Sequence, residues 1–179
     1  LVTLEKNPAN LDKIKQSLHN CVIQTQRAGD TLHELIASLH KIDVHIEQLD
    51  LNQVILDALR TVRSDGFSDF QQILQLELNL PAVLANRVQI KKVVVNLLRN
   101  AVEAMNATDV ATSEITISVK TMAKEKYALV TIEDKGPGID PKIMHQIFDP
   151  FFTTKPTGIG MGLSISRALI EANGGQLWV

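Results

Sequence analysis

The 179-residue chain has a single cysteine, Cys21. One thiol excludes an internal disulfide framework, and no grouping of cysteine with histidine has zinc-ligand spacing. A reducing, cytoplasmic compartment fits that usage. The chain also lacks an excess of either charge. Its 18 basic and 20 acidic side chains leave a net charge of −2, so there is no electrostatic case for nucleic acid or for an anionic membrane surface. No apolar run approaches the roughly 20 residues that cross a bilayer, and the N-terminus has no signal-peptide design. Attachment to a membrane is therefore expected only through segments outside this chain. What is present is a hydrophobic content of 45%, enough to build one globular domain with an appendage.

Between residues 11 and 49 the apolar residues follow a heptad. One seam is Leu11, Leu18, Thr25, Leu32, Leu39 and Ile46; the other is Ile14, Cys21, Ala28, Leu35, Ile42 and Leu49. This pattern predicts a long helix with a coiled-coil or bundle seam, buried against another helix in a second copy of the chain. Residues 1–50 are assigned to this helical element and 51–179 to a second domain. In that domain, helical patterns occupy about 51–62, 87–105, 141–147 and 162–172. Strand-like alternation marks 73–78, 115–119 and 128–132. Helices interspersed with hairpin-connected strands predict an α+β two-layer sandwich.

Chemistry-bearing residues cluster in four segments of the second domain. On the helix over 87–105, Asn96, Asn100 and Glu103 share one face, at i, i+4 and i+7. Asparagine offers a neutral carbonyl oxygen to a hard cation and an NH2 to a phosphate oxygen without adding negative charge. Asp134 ends a strand and opens an Asp-x-Gly-x-Gly turn through Gly136 and Gly138. A carboxylate there can accept from an adenine amino group while the glycines let backbone approach a flat base. Phe148, Phe151 and Phe152 are read as anchors of the loop that continues through Thr153 to Lys155, and Lys155 could reach a terminal phosphate, the alternative being ordinary core with a surface lysine. Gly158, Gly160 and Gly162, with Ile159 and Leu163 between and after them, precede a helix start. They would present backbone N–H groups and the positive end of the helix dipole to phosphate.

Asn96-Leu97-Leu98-Arg99-Asn100-Ala101, Asp134-Lys135-Gly136-Pro137-Gly138, Phe148-Asp149-Pro150-Phe151-Phe152-Thr153-Thr154-Lys155 and Gly158-Ile159-Gly160-Met161-Gly162 occur in this order. The ordered set resembles the conserved boxes of the catalytic ATP-binding domain of bacterial sensor histidine kinases, within the GHKL superfamily. The phenylalanine segment is most like that of the nitrogen-regulation and oxygen-sensing kinases. The resemblance covers roughly 51–179, and the upstream helix resembles the second helix of the dimerisation and histidine-phosphotransfer hairpin.

This resemblance implies a Bergerat fold that binds ATP and Mg2+, with Asn100 as metal ligand, Asn96 near the phosphates and Asp134 reading adenine. It also implies a lid over 158–162 that closes on the triphosphate, with Lys155 at its outer end. Glu103, Gly136, Gly138, Phe151, Thr153, Ile159 and Leu163 complete the implied nucleotide site. The implied activity is transfer of the γ-phosphate to a histidine and then to a response-regulator aspartate, in a homodimer joined through residues 11–49. His33-Glu34-Leu35 imitates the start of the family's phosphoacceptor motif, but Ile36-Ala37-Ser38 follows without the expected proline. The acceptor is accordingly expected upstream of Leu1. Other readings of the same fold are a GHKL ATPase, a protein-serine kinase and a nucleotide-sensing module. GHKL ATPases place a water-activating glutamate where this chain has Asn96, and an amide cannot serve as that base.

Overall fold

A computed structural model describes residues 17–18, 22, 45–67, 70–106, 116–123, 126–155 and 158–179. The chain divides into two compact units, Leu1–Val44 and His45–Val179. In the first, Ser17, Leu18 and Val22 are helical. The other heptad positions up to Val44, together with His33, lie outside the described residues.

The second unit begins with a short strand, β1 (Glu47–Leu49), paired antiparallel with β3 (Val83–Ala85). The heptad pattern extends a helix through Leu49, but the structure ends it earlier. Glu47 to Leu49 spend their backbone on Val83 to Ala85, and the Leu49 side chain is only 1% exposed in the core. Apolar spacing alone does not separate that final Leu from a helical seam position.

Helix α1 (Leu51–Ser64) starts where the Asp50 carboxylate accepts from the amides of Asn52 at 2.9 Å and Gln53 at 3.3 Å, a side-chain N-cap. Its buried residues, Leu51, Val54, Ile55, Ala58, Leu59 and Val62, recur at helical spacing and form one apolar stripe. Helix α2 (Arg87–Asn106) packs on that stripe through Ile90, Val94, Leu98, Ala101, Val102 and Met105. Its own cap is Asn86, whose Oδ1 accepts from the Gln89 amide at 3.0 Å.

The sheet is β2 (Gln71–Gln75), β4 (Thr116–Ala123) and β5 (Ala128–Glu133), in the order β2-β4-β5. β2 runs parallel and β5 antiparallel to β4. Leu74, Leu76, Val130 and Ile132 pack onto the helical core. This gives the two layers expected, with α3 (Gly162–Ala172) set against α2.

Two predicted elements differ. The strand over 73–78 ends at Gln75, and Leu78 is 96% exposed. The cause lies at Glu77. Its amide donates to Thr121 Oγ1 at 2.9 Å, its carbonyl accepts from Asn52 Nδ2 at 2.8 Å, and its carboxylate accepts from the Ala123 amide at 2.6 Å. Those bonds replace ladder pairing and turn the chain. The helix over 141–147 is instead a succession of turns closed by Ile143→Asp140, Gln146→Ile143 and Asp149→Gln146 backbone bonds of 3.0, 2.8 and 2.8 Å. So short a segment does not repay helix nucleation, and Pro150 disfavours helical backbone at Asp149. Among the described residues no helix is long and apolar enough to cross a membrane.

Candidate functional site

The apolar stripe of α2 faces α1 and the sheet, which leaves its opposite face to carry Asn96, Asn100 and Glu103. Three separate segments meet that face at successive turns. At the first, the Asn96 amide donates from Nδ2 to Ser166 Oγ on α3 at 2.9 Å. A Cβ built on Gly162 would lie 2.7 Å from Asn96 Oδ1, so the start of α3 sits directly against Asn96.

One turn further, Lys155 Nζ donates to Asn100 Oδ1 at 3.0 Å and forms an ion pair with the Glu103 carboxylate. At the third, the Asp134 turn reaches α2. Asp134 Oδ1 accepts from the Gly136 amide at 2.8 Å, and a Cβ on Gly136 would fall 3.2 Å from Ala104 Cβ. From Asn96 to Ala104 the helix rises about 12 Å. Three distant segments, at Gly162, Lys155 and Gly136, therefore meet one edge of one helix.

The loop that carries Lys155 is also held through the Lys155 backbone groups. The Lys155 amide donates to Thr153 Oγ1 at 3.1 Å, and its carbonyl accepts from the Gly158 amide at 3.2 Å. Gly160 has φ +75°, and a Cβ there would lie 2.4 Å from the Phe151 carbonyl carbon. Only glycine tolerates that approach. Phe151 differs from its expected part as an apolar anchor. The residue is 45% exposed and its own φ is +67°, and its carbonyl group is what lies against Gly160. Phe148 is the aromatic that docks, with the Arg167 guanidinium 3.6 Å from its ring centroid. Gly138 also has positive φ, at +75°, in the Asp134 turn. Ile159 is exposed and Leu163 half-buried at the start of α3.

No side chain caps the N-terminus of α3: its N-cap is Met161, which makes no side-chain cap hydrogen bond. First-turn amides left in this way suit an anion. For a metal, the informative feature is that Asn100 Oδ1 and the Glu103 carboxylate converge on one positive centre, the Lys155 ammonium. Among the described residues there is no cluster of three or more His, Cys, Asp or Glu suited to a metal. One amide oxygen and one carboxylate match a cation that takes its remaining ligands from phosphate and water, the habit of Mg2+. Ser166, 2% exposed, and Arg167 are the site neighbours that motif reading missed. The i+4 spacing from Gly162 to Ser166 was the available signal.

The family model described as histidine kinase-, DNA gyrase B- and HSP90-like ATPase matches residues 85–179. The chain belongs to that family. The sensor protein FixL of Bradyrhizobium diazoefficiens is 35% identical over 170 residues, covering 94% of this chain and 33% of FixL. The signal transduction histidine-protein kinase AtoS of Escherichia coli is 37% identical over 136 residues, covering 74% of this chain and 21% of AtoS. A nucleotide-free catalytic domain of the histidine kinase ThkA superposes with a TM-score of 0.64 at 29% identity, covering 75% of this chain and 86% of that domain. The α+β ATP-binding fold expected from the four segments is thus the fold of the histidine kinase catalytic domains. The chain spans a fifth to a third of the length of these two curated relatives, 21% and 33%.

Proposed function

We propose that this chain binds Mg-ATP along the polar face of α2 and donates the γ-phosphate to a histidine imidazole, for onward transfer to a response-regulator aspartate. The observation that carries the reading is the meeting of three segments on that face: the start of α3 at Asn96, Lys155 at Asn100 and Glu103, and the Asp134 turn beside Ala104. They supply, in order, phosphate-binding amides, a cation site and an adenine-reading carboxylate.

Asp134 accepts from the adenine amino group and so fixes the base end. The first-turn amides of α3 and Asn96 hold the phosphates, while Lys155 serves the outer phosphate. Asn100, with Glu103 beside it, would hold Mg2+, which neutralises phosphate charge when bound. No group on this face need act as a base, because the reaction rests on alignment of the γ-phosphate with an incoming imidazole. Asn96 in place of a water-activating glutamate favours transfer over hydrolysis. The heptad segment upstream of β1 supplies the homodimer in this reading.

Calorimetric titration tests the nucleotide site. Asp134→Ala is expected to weaken ATP binding about 10- to 100-fold, the loss of one hydrogen bond to a charged acceptor. Unchanged affinity would remove the adenine assignment. Transfer is tested with γ-labelled ATP and a full-length acceptor whose own site carries Asp134→Ala. Acid-labile, base-stable label on that acceptor supports phosphohistidine formation, whereas release of free phosphate alone favours an ATPase.

A further inference from the structure

Lys155 is engaged by two side chains of the polar face of α2. Its ammonium bonds Asn100 Oδ1 at 3.0 Å and pairs with Glu103, the same two oxygens that suit a divalent cation. We infer that Lys155 is the resident cation of this site in the nucleotide-free protein. Lys155 and Mg2+ then exclude one another at Asn100 and Glu103, and Mg2+ entry with the nucleotide releases Lys155 to the outer phosphate. The inference rests on the Mg-nucleotide reading above but makes a claim of its own about the free protein.

Electrostatics and attachment both support it. Two oxygens from consecutive turns of α2 need a positive partner, and one ammonium with three donors serves both. The lysine is brought there by a loop pinned next to it, through Thr153 Oγ1 on the Lys155 amide and the Gly158 amide on the Lys155 carbonyl. Holding the side chain therefore also holds the loop. The Lys155 and Glu103 side chains keep 40% and 39% of their exposure, so the pair is screened by water and worth only about a two- to fivefold bias. A doubly charged ion accompanied by a triphosphate overcomes a bias of that size. The same contact that orders the loop without ligand is weak enough to be exchanged for metal.

The consequence is a dependence on metal that a lysine acting only as a phosphate ligand would not show. Without Mg2+, Lys155 must give up Asn100 and Glu103 to reach a phosphate, which offsets about two- to fivefold of its contribution to nucleotide affinity. With Mg2+, it is freed and contributes. Calorimetry of an ATP analogue with the 179-residue chain is expected to show Lys155→Met weakening binding about tenfold in Mg2+ and only about two- to fivefold in a metal chelator, the remainder offsetting the loss of the clasp. Equal weakening in both conditions would overturn the inference.

Amide exchange on the nucleotide-free chain tests the contact independently of nucleotide binding. Lys155→Met is expected to raise exchange at residues 153–155 and 158–160 about two- to fivefold, and Glu103→Ala, which leaves the bond to Asn100, to raise it by less, with the double variant no faster than Lys155→Met alone. Additive effects, or none, would overturn it. If the chain bound no nucleotide yet showed this non-additive exchange, the clasp would stand and the nucleotide reading would fall.

Discussion

The Asn96 side chain on α2 donates to the buried Ser166 hydroxyl on α3 at 2.9 Å, and its amide fills the space where Gly162 lacks a Cβ. The proposed nucleotide site and the packing of α2 on α3 therefore share one contact. Gly162→Ala would place a methyl group 2.7 Å from Asn96 Oδ1 and 3.2 Å from Nδ2. The obstructed atoms are the end of a mobile side chain, so the fold gives way at small cost, and Ala is the better helix former. Asn96 must leave Ser166 and shift within the site. The expected outcome is a melting midpoint within about 2 °C of wild type together with roughly tenfold weaker nucleotide binding. A variant that binds normally would show that Asn96 takes no part.

Two residues earlier the same substitution has the opposite consequence. Gly160 has φ +75°, and its missing Cβ would meet the Phe151 carbonyl carbon at 2.4 Å and the Phe152 carbonyl oxygen at 2.5 Å. Backbone cannot swing aside as an amide side chain does. Gly160→Ala adds about 1 kcal/mol for the left-handed conformation alone, with the collision in addition. Limited proteolysis is expected to cut the variant near residues 151–155 and 158–160 at least tenfold faster than wild type, because the loop separates from α3. Equal cleavage would mean that the close approach is relieved elsewhere.

The contrast shows how far the sequence reaches. The helical period named the polar face of α2 correctly, and the order of the four segments led to the fold. The expected strand over 128–132 became β5 with one residue added, because hairpin pairing with β4 obeys local alternation. What was hidden depended on partners distant in sequence. Glu77 ends β2 through Thr121, Asn52 and Ala123, which no alternation pattern encodes. β1 was lost inside the heptad because Leu49 satisfies both patterns. Phe151 reads as an anchor from its apolarity, yet it is 45% exposed at positive φ, and its carbonyl group lies where a Cβ on Gly160 would fall.

Asn173 joins the far end of α3 to the start of α2. Its Oδ1 accepts from the Asn86 amide at 2.7 Å, and its Nδ2 donates to Gln89 Oε1 at 2.7 Å and to the Leu169 carbonyl at 2.8 Å. Asn86 is itself the cap of α2, so one amide side chain braces the helix that carries the site. Asn173→Ala removes three part-buried bonds and is expected to cost about 2 kcal/mol, a fall in melting midpoint of roughly 5 °C or more. Asn173→Asp keeps the acceptor toward Asn86 and should recover part of that loss. Equal loss in both variants would place the effect in the Nδ2 bonds alone.

Asp57 on α1 provides a pH dependence of known sign. Its Oδ2 accepts from Arg87 Nη2 at 2.8 Å and its Oδ1 from Arg60 Nη1 at 2.8 Å. The hydrogen bond from Arg87 holds the Asp57 carboxyl below its ordinary value; desolvation opposes it, while the charges of Arg87, Arg60 and Lys91 reinforce it. A depressed folded-state pKa means that the unfolded chain takes up the proton first as pH falls. The contribution is thus complete above the unfolded aspartate value of about 3.9 and is lost as pH drops through the lower folded value. Asp57→Asn should consequently melt below wild type at pH 7, and the gap between the two should close in the acid range below about pH 4. A gap that stayed constant to pH 2 would assign the effect to packing between α1 and α2 instead of to the ionised carboxylate.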